Sequence, residues 1–308
     1  MKVAVYHNNR DVRIEERPKP SPEAREMLLR VEASGLCGSD VMEWYRIRRA
    51  PLVLGHEVAG TVVEVGKDVH GFCVGDRVVA THHVPCNVCR YCLTDRHSSC
   101  ETLRSTHFDP GGFAEFIRLP PENVERGTFR LPDTVTFEEG SFVEPLACVV
   151  RAQRKAGLTR GESVAVIGSG VSGILQIQLA RALGAGRIFA TDPSSFRREM
   201  ARRFGADFVL EATDDVPDRI RTGNDGRLAD RVLVCTAAHG AIRQAFCCVD
   251  RGGAILLFAP LAPGSSLPVP LHDLWNDEIS LVHSYAGPPA DMLVALDLIA
   301  SRRVDVAS

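Results

Sequence analysis

Residues 162–192 read ESVAVIGSGVSGILQIQLARALGAGRIFATD. Four apolar residues, Val164 to Ile167, lead into Gly168-Ser169-Gly170-Val171-Ser172-Gly173, and the spacing of Ile174, Leu175, Ile177, Leu179, Ala180 and Leu183 predicts a helix that closes at Gly184. A second apolar strand, 188–191, ends on Asp192. The glycines have separate tasks. Gly168 makes the tight turn, Gly170 lets the backbone approach a pyrophosphate, and Gly173 lets helix pack on strand. Phosphates would lie at the helix N-terminus, where unpaired N–H groups and the dipole favour anions. Asp192 follows the last glycine by roughly the 20 residues at which an acid accepts the ribose hydroxyls of NAD and repels the extra phosphate of NADP. A glycine turn alone also suits an ordinary strand-to-helix corner. Strand, glycines, helix, strand and acid in this order favour a dinucleotide site.

The pattern continues outward on the C-terminal side. Strands are expected at 208–210, 232–234, 254–258 and 279–282, and helices at 195–204, with Gly205 as its cap, and at 239–248. Six strands joined by helices imply an α/β fold with a doubly wound parallel sheet. Residues 259–270 form a Pro/Gly/Ser loop beyond the fifth strand, where such sheets bind ligands. A last helix is expected at 290–300.

Toward the N-terminus the character changes to short strands with glycine and proline, giving a mostly β domain with strands at 27–32, 58–65, 77–81 and 113–117. Two metal patterns lie in it. Cys37-Gly38-Ser39-Asp40 followed by Gly55-His56-Glu57 offers a thiolate, an imidazole and a carboxylate, three ligands that suit zinc and leave a position open for catalysis. Taken alone, they read more readily as a buried cysteine and a satisfied core histidine, and the rest of the chain reverses that. Cys86, Cys89, Cys92 and Cys100 have the spacing that closes four thiolates on one structural zinc. The other five cysteines, Cys73, Cys148, Cys235, Cys247 and Cys248, have no such spacing and are expected as small buried hydrophobes.

Length and composition bound the partners. The 308 residues suffice for two cores, and 45% hydrophobic with 24% charged residues is an ordinary soluble composition. A net charge of −3 without a basic block argues against nucleic acid and anionic membrane as partners. No stretch has the pattern of a signal peptide or the length of a membrane span, so a cytoplasmic protein is expected.

Gly35-Leu36-Cys37-Gly38-Ser39-Asp40, Gly55-His56-Glu57-Val58-Ala59-Gly60, the four-cysteine lobe, Glu144-Pro145-Leu146 and the glycine turn occur together and in order. On these residues the chain resembles the zinc-dependent medium-chain dehydrogenases, in the branch of sorbitol and threonine dehydrogenases. The resemblance implies a GroES-like catalytic domain over 1–147, a Rossmann NAD-binding domain over 148–287 and a return segment over 288–308. Further strands follow in the family, so an end at Ser308 reads as a truncated return or a domain without its closing strands. It also implies one catalytic zinc on Cys37, His56 and Glu57, with Glu144 ligating it in some states or contacting the substrate. Ser39 would bind the substrate alcohol and pass its proton outward. Met42 stands where threonine dehydrogenases carry a relay histidine, which puts that relay and threonine itself in doubt. Trp44, Tyr45 and Arg46 are expected to line the pocket. The cofactor set is Gly168, Gly170, Val171, Ser172, Gly173, Asp192 and Arg197, the last being the type of residue that elsewhere accommodates a 2′-phosphate. The implied activity is NAD-dependent oxidation of a secondary alcohol (a polyol, cyclitol or amino alcohol) by a homodimer or homotetramer. Three other readings are a non-catalytic member inactivated by its short C-terminus, a zinc-lobe nucleic-acid binder, and a quinone reductase, which would lack both ligand sets.

Overall fold

The structure, a computed structural model, describes residues 1–308 and divides into two units. One comprises Met1–Cys148 with Ala286–Ser308, the other Val149–Tyr285.

The first unit contains β1 (Lys2–Asn8), β2 (Asp11–Glu16), β3 (Met27–Gly35), β4 (Leu52–Val53), β5 (Glu57–Val65), β6 (Arg77–Ala80), β7 (Phe116–Leu119) and β8 (Thr128–Arg130). They form two sheets, ordered β2-β1-β4 and β7-β3-β5-β6-β8, with antiparallel neighbours throughout. Val3, Val5, Met27, Leu29, Val58, Val62, Val78, Ile117 and Leu119 turn into one core, the alternation expected of half-buried strands. The strand expected at 113–117 begins later, at Phe116. The chain just before it is occupied with β1, through the Val3–Ala114 bridge and the Ala4 N–H donated to the Phe113 carbonyl at 2.8 Å. The C-terminal segment belongs to this unit. Arg302 pairs with Glu139 and donates to the Thr134 carbonyl at 2.8 Å, and Val304 is buried.

Glu144 is buried in the first turn of the helix Val143–Lys155, an element the sequence pattern did not indicate. Pro145 is no obstacle there. Amides of the first helical turn have no intrahelical acceptor, so a missing N–H in that turn leaves no bond unmade.

The second unit contains β9 (Val164–Ile167), β10 (Ile188–Thr191), β11 (Phe208–Leu210), β12 (Ala229–Val234), β13 (Val249–Leu257) and β14 (Ser280–His283). All are parallel, in the order β11-β10-β9-β12-β13-β14. That is the doubly wound arrangement whose strand order reverses beside its first strand, here β9. β9 is buried along its whole length, with Ala165 and Ile167 in the core on one face and Val164 and Val166 in the core on the other. Helices on both sides of the sheet explain a strand that is apolar throughout. Two helices in this unit, Val216–Gly223 and Leu271–Asn276, fall where the sequence pattern gave no helix.

The glycine turn follows β9 directly. Gly168 has φ +95°, and Gly173 packs so tightly that a Cβ would lie 2.0 Å from the Gly168 carbonyl oxygen. Gly173→Ala must push the helix Val171–Leu183 off the strand, and should destabilise the protein by about 1–3 kcal/mol, the usual cost of overpacking. Urea unfolding checks this: an unchanged midpoint would show that the turn has slack.

Candidate active site and its metal positions

Antiparallel pairing of β3 with β5 places Gly35 opposite Glu57. The glycine is needed, because a Cβ at position 35 would lie 2.2 Å from the Glu57 Oε2. Just beyond β3 the chain enters the short 3-10 helix Gly38–Val41, capped in both directions at Cys37. The Cys37 amide donates to Asp40 Oδ2 at 3.2 Å, and the Ser39 amide donates to Cys37 Sγ at 3.4 Å. His56 immediately precedes β5, with its Nδ1 3.7 Å from Asp40 Oδ1. A carboxylate beside one ring nitrogen orients the other toward a ligand. The result is that donor atoms of Cys37, His56 and Glu57 lie within 4.8 Å of one another.

The electrostatics of this cluster are those of a cation site. Burial, then the Glu57 charge, pushes the Cys37 thiol up to about 12. Burial raises Glu57 to about 7, and burial with repulsion from Glu57 raises Glu144 to about 8. Burial depresses His56 to about 4, leaving its imidazole neutral. Three neighbouring acids, each pushed toward its neutral form first by burial, fit a dication, which would keep all three ionised. The donor set of thiolate, imidazole and carboxylate suits zinc.

Four sulfurs converge elsewhere in the same unit. Cys89 and Cys92 Sγ are 3.5 Å apart, Cys86 and Cys100 3.6 Å, and Cys86 and Cys92 4.0 Å. A tetrahedron of sulfurs at the usual zinc distance has edges of about 3.8 Å. The Val88 and Cys89 amides lower Cys86. At Cys100 burial acts upward, and amide donors from Cys86 and Leu103 outweigh it, bringing the thiol down to about 6. Burial, then the Cys89 thiol, pushes Cys92 up to about 12, so amide donors favour the thiolates a structural zinc requires at Cys86 and Cys100.

Ser39 departs from a simple relay. Arg46 Nη2 donates to its hydroxyl oxygen at 2.7 Å and to Asp40 Oδ1 at 3.0 Å, while Arg46 Nε donates to the Ser39 carbonyl at 3.0 Å. A guanidinium cannot accept a proton, so this side of Ser39 is closed to proton transfer and its O–H is left to donate. Trp44 is half-buried and Tyr45 exposed. Cys73 and Cys247 are exposed, against the expectation of burial.

His82 and His83 carried no expectation, yet their donor atoms lie within 4.8 Å of one another and of a Glu144 oxygen. Two consecutive histidines just after β6 were a visible signal, but side chains alternate along a strand, so both would not be expected on one side. Here the His83 amide donates to the Thr81 hydroxyl at 3.2 Å, a local turn that ends the alternation. Burial lowers His82 far below its ordinary value and brings His83 down to about 3.

In the second unit, Gly168, Gly170, Val171, Ser172 and Gly173 surround the start of the helix Val171–Leu183. A Cβ on Gly170 would meet nothing within 4 Å, and Val171 is exposed, so the glycines leave open space in front of the helix N-terminus. Asp192 is buried, its Oδ2 accepting the Ser169 amide at 2.9 Å and its Oδ1 the Ser194 amide at 2.8 Å. The exposed Arg197 guanidinium lies 3.8 Å from Asp192 Oδ2.

Residues 23–133 match the alcohol dehydrogenase GroES-like domain, and residues 172–301 match the zinc-binding dehydrogenase family. The chain belongs to the zinc-binding dehydrogenases. Sorbitol dehydrogenase of Gallus gallus is 33% identical over 317 residues, covering 99% of this chain and 87% of that protein. The Bacillus subtilis (strain 168) sorbitol dehydrogenase is 31% identical over 290 residues, covering 91% and 81%. Among solved structures, a zinc-binding dehydrogenase of Sinorhizobium meliloti 1021 bound to NADP superposes with TM-score 0.88 at 28% identity, covering 99% of this chain and 90% of that one. Galactitol-1-phosphate dehydrogenase of Escherichia coli does so with TM-score 0.88 at 26% identity, covering 100% and 91%. No helix of this dehydrogenase is long and apolar enough to cross a membrane.

Two outcomes are expected. Cys89→Ser should lose one zinc equivalent by elemental analysis and lower the melting temperature, whereas an unchanged zinc content would remove the four-cysteine site. The second concerns pH. Glu57 and Glu144 have folded values of about 7 and about 8 against 4.5 unfolded. Their contribution to stability is therefore fully present below about 4.5 and lost as pH rises through those folded values. Metal-free protein should lose stability from about pH 5 to about pH 8, and metal-free Glu144→Gln should lose less. Parallel pH profiles for the two would contradict the charge assignment.

Proposed function

We propose that this zinc-binding dehydrogenase oxidises a secondary alcohol of the polyol class to a ketone, with NAD as hydride acceptor. The observation that carries the reading is the meeting of Cys37, His56 and Glu57, drawn from the end of β3 and the start of β5, beside buried Glu144. The names of the sorbitol dehydrogenases among its relatives support the polyol class. When bound, zinc supplies the Lewis acidity that lets a substrate hydroxyl lose its proton at neutral pH, and the nicotinamide supplies the hydride acceptor.

The chain's own residues have these tasks. Cys37, His56 and Glu57 would hold the zinc, and Glu144 would stand beside it as a further ligand or a substrate contact. Ser39 donates its O–H to the substrate oxygen, held in place by Arg46, so the departing proton leaves by a route other than Arg46. The Gly168–Gly173 turn receives the pyrophosphate. Asp192, its carboxylate oriented by two amides, accepts the ribose hydroxyls and repels a 2′-phosphate. Arg197 stands close enough to soften that preference, and the Sinorhizobium relative holds NADP. A non-catalytic reading has nothing in its favour here, because the complete donor set is retained.

NADH absorbance with a panel of secondary alcohols tests the activity. Polyols should be oxidised with NAD at least about tenfold more efficiently than with NADP, a difference of ~1.4 kcal/mol, and Asp192→Ala should narrow that ratio. Equal efficiency with both cofactors would contradict the role of Asp192. Glu144→Gln should reduce turnover roughly 10–100-fold while NAD affinity stays near wild type. Wild-type turnover in that variant would leave Glu144 a scaffold residue only.

A further inference from the structure

We propose that His82, His83 and Glu144 form a third divalent-cation position, beside the catalytic one and bridged to it by the Glu144 carboxylate.

Geometry supports the position first. One donor atom from each of the three residues lies within 4.8 Å of the other two, the same closeness shown by Cys37, His56 and Glu57. The His82 and His83 ring centroids are 3.7 Å apart, and His82 lies 4.7 Å from the His56 ring, so the two ligand groups share a wall. His82 Nδ1 is buried and has no hydrogen-bond partner. The Phe108 ring, 6.2 Å from His82, closes the apolar side, and the Val84 amide, donated to the Thr106 hydroxyl at 3.0 Å, fixes the backbone after the pair.

Ligand chemistry supplies the second argument. Two imidazoles and one bridging carboxylate are ordinary ligands for zinc, and a carboxylate can span two ions about 3.5–4 Å apart.

The inference shares Glu144 with the proposed catalytic ion, so the test separates the two. Cobalt(II) is titrated into metal-free protein and followed by binding stoichiometry and by thiolate-to-cobalt charge-transfer absorption. Wild type should take up a third equivalent that adds ligand-field absorption without new thiolate absorption. His82→Asn and His83→Asn, made singly, should each lose that equivalent and keep both thiolate-bound ones. Cys37→Ser should lose thiolate absorption from the catalytic ion, which reports on that site independently. Uptake that stops at two equivalents in wild type, or a third equivalent that survives in both histidine variants, would overturn the third position. Unchanged thiolate absorption in Cys37→Ser would overturn the catalytic position.

Discussion

Buried acids that only a cation would keep ionised are the constraint on which the candidate site depends. Cys37, Glu57 and Glu144 are brought within reach of one another's charge by strand pairing, a capped turn and the first turn of a helix, and burial pushes each toward its neutral form. Arg46, the nearby guanidinium, is committed to Asp40 and Ser39. An apolar set of side chains would pack there at lower cost, since isolated buried charges are among the most unfavourable features a fold can contain. Their presence makes sense only when a dication completes them, and it ties the stability of this region to metal occupancy.

The two units differ in how openly their sequences declared their structure. In the second unit, β9 and β10 fall on 164–167 and 188–191 as read, because a parallel strand buried on both faces is an uninterrupted apolar run with clear ends. The helices missed there are short, and they lie in stretches where proline and charge hide the period. The first unit was less legible. Its strands pair at long range, so where one ends depends on partners far away in sequence: residues 113–115 look like the start of β7 but divide their bonds between β1, β3 and Leu54.

The candidate site follows the same division. Cys37, His56 and Glu57 were readable as ligands only together with the rest of the chain, and the four cysteines by spacing, since local spacing is enough to close a small loop on a metal. Arg46 appeared in the sequence only as a pocket-lining residue, and its hold on Ser39 needed a turn of backbone to become visible. His82 and His83 were hidden by the period of two, which a single bond to the Thr81 hydroxyl cancels. Glu144 was recognised through its resemblance to a family pattern, and the helix that buries it was not, because proline in the first turn looks the same in sequence as proline in a loop.

Zinc-edge X-ray absorption on the purified protein tests the central claim most directly, since it reports which elements surround the metal. The account predicts an averaged shell in which a four-sulfur site is combined with a site of one sulfur and several nitrogen or oxygen donors, and a smaller share of sulfur when Cys37 is replaced by Ser. A shell of sulfur alone, unchanged by that replacement, would show that the buried acids around Cys37 hold no metal.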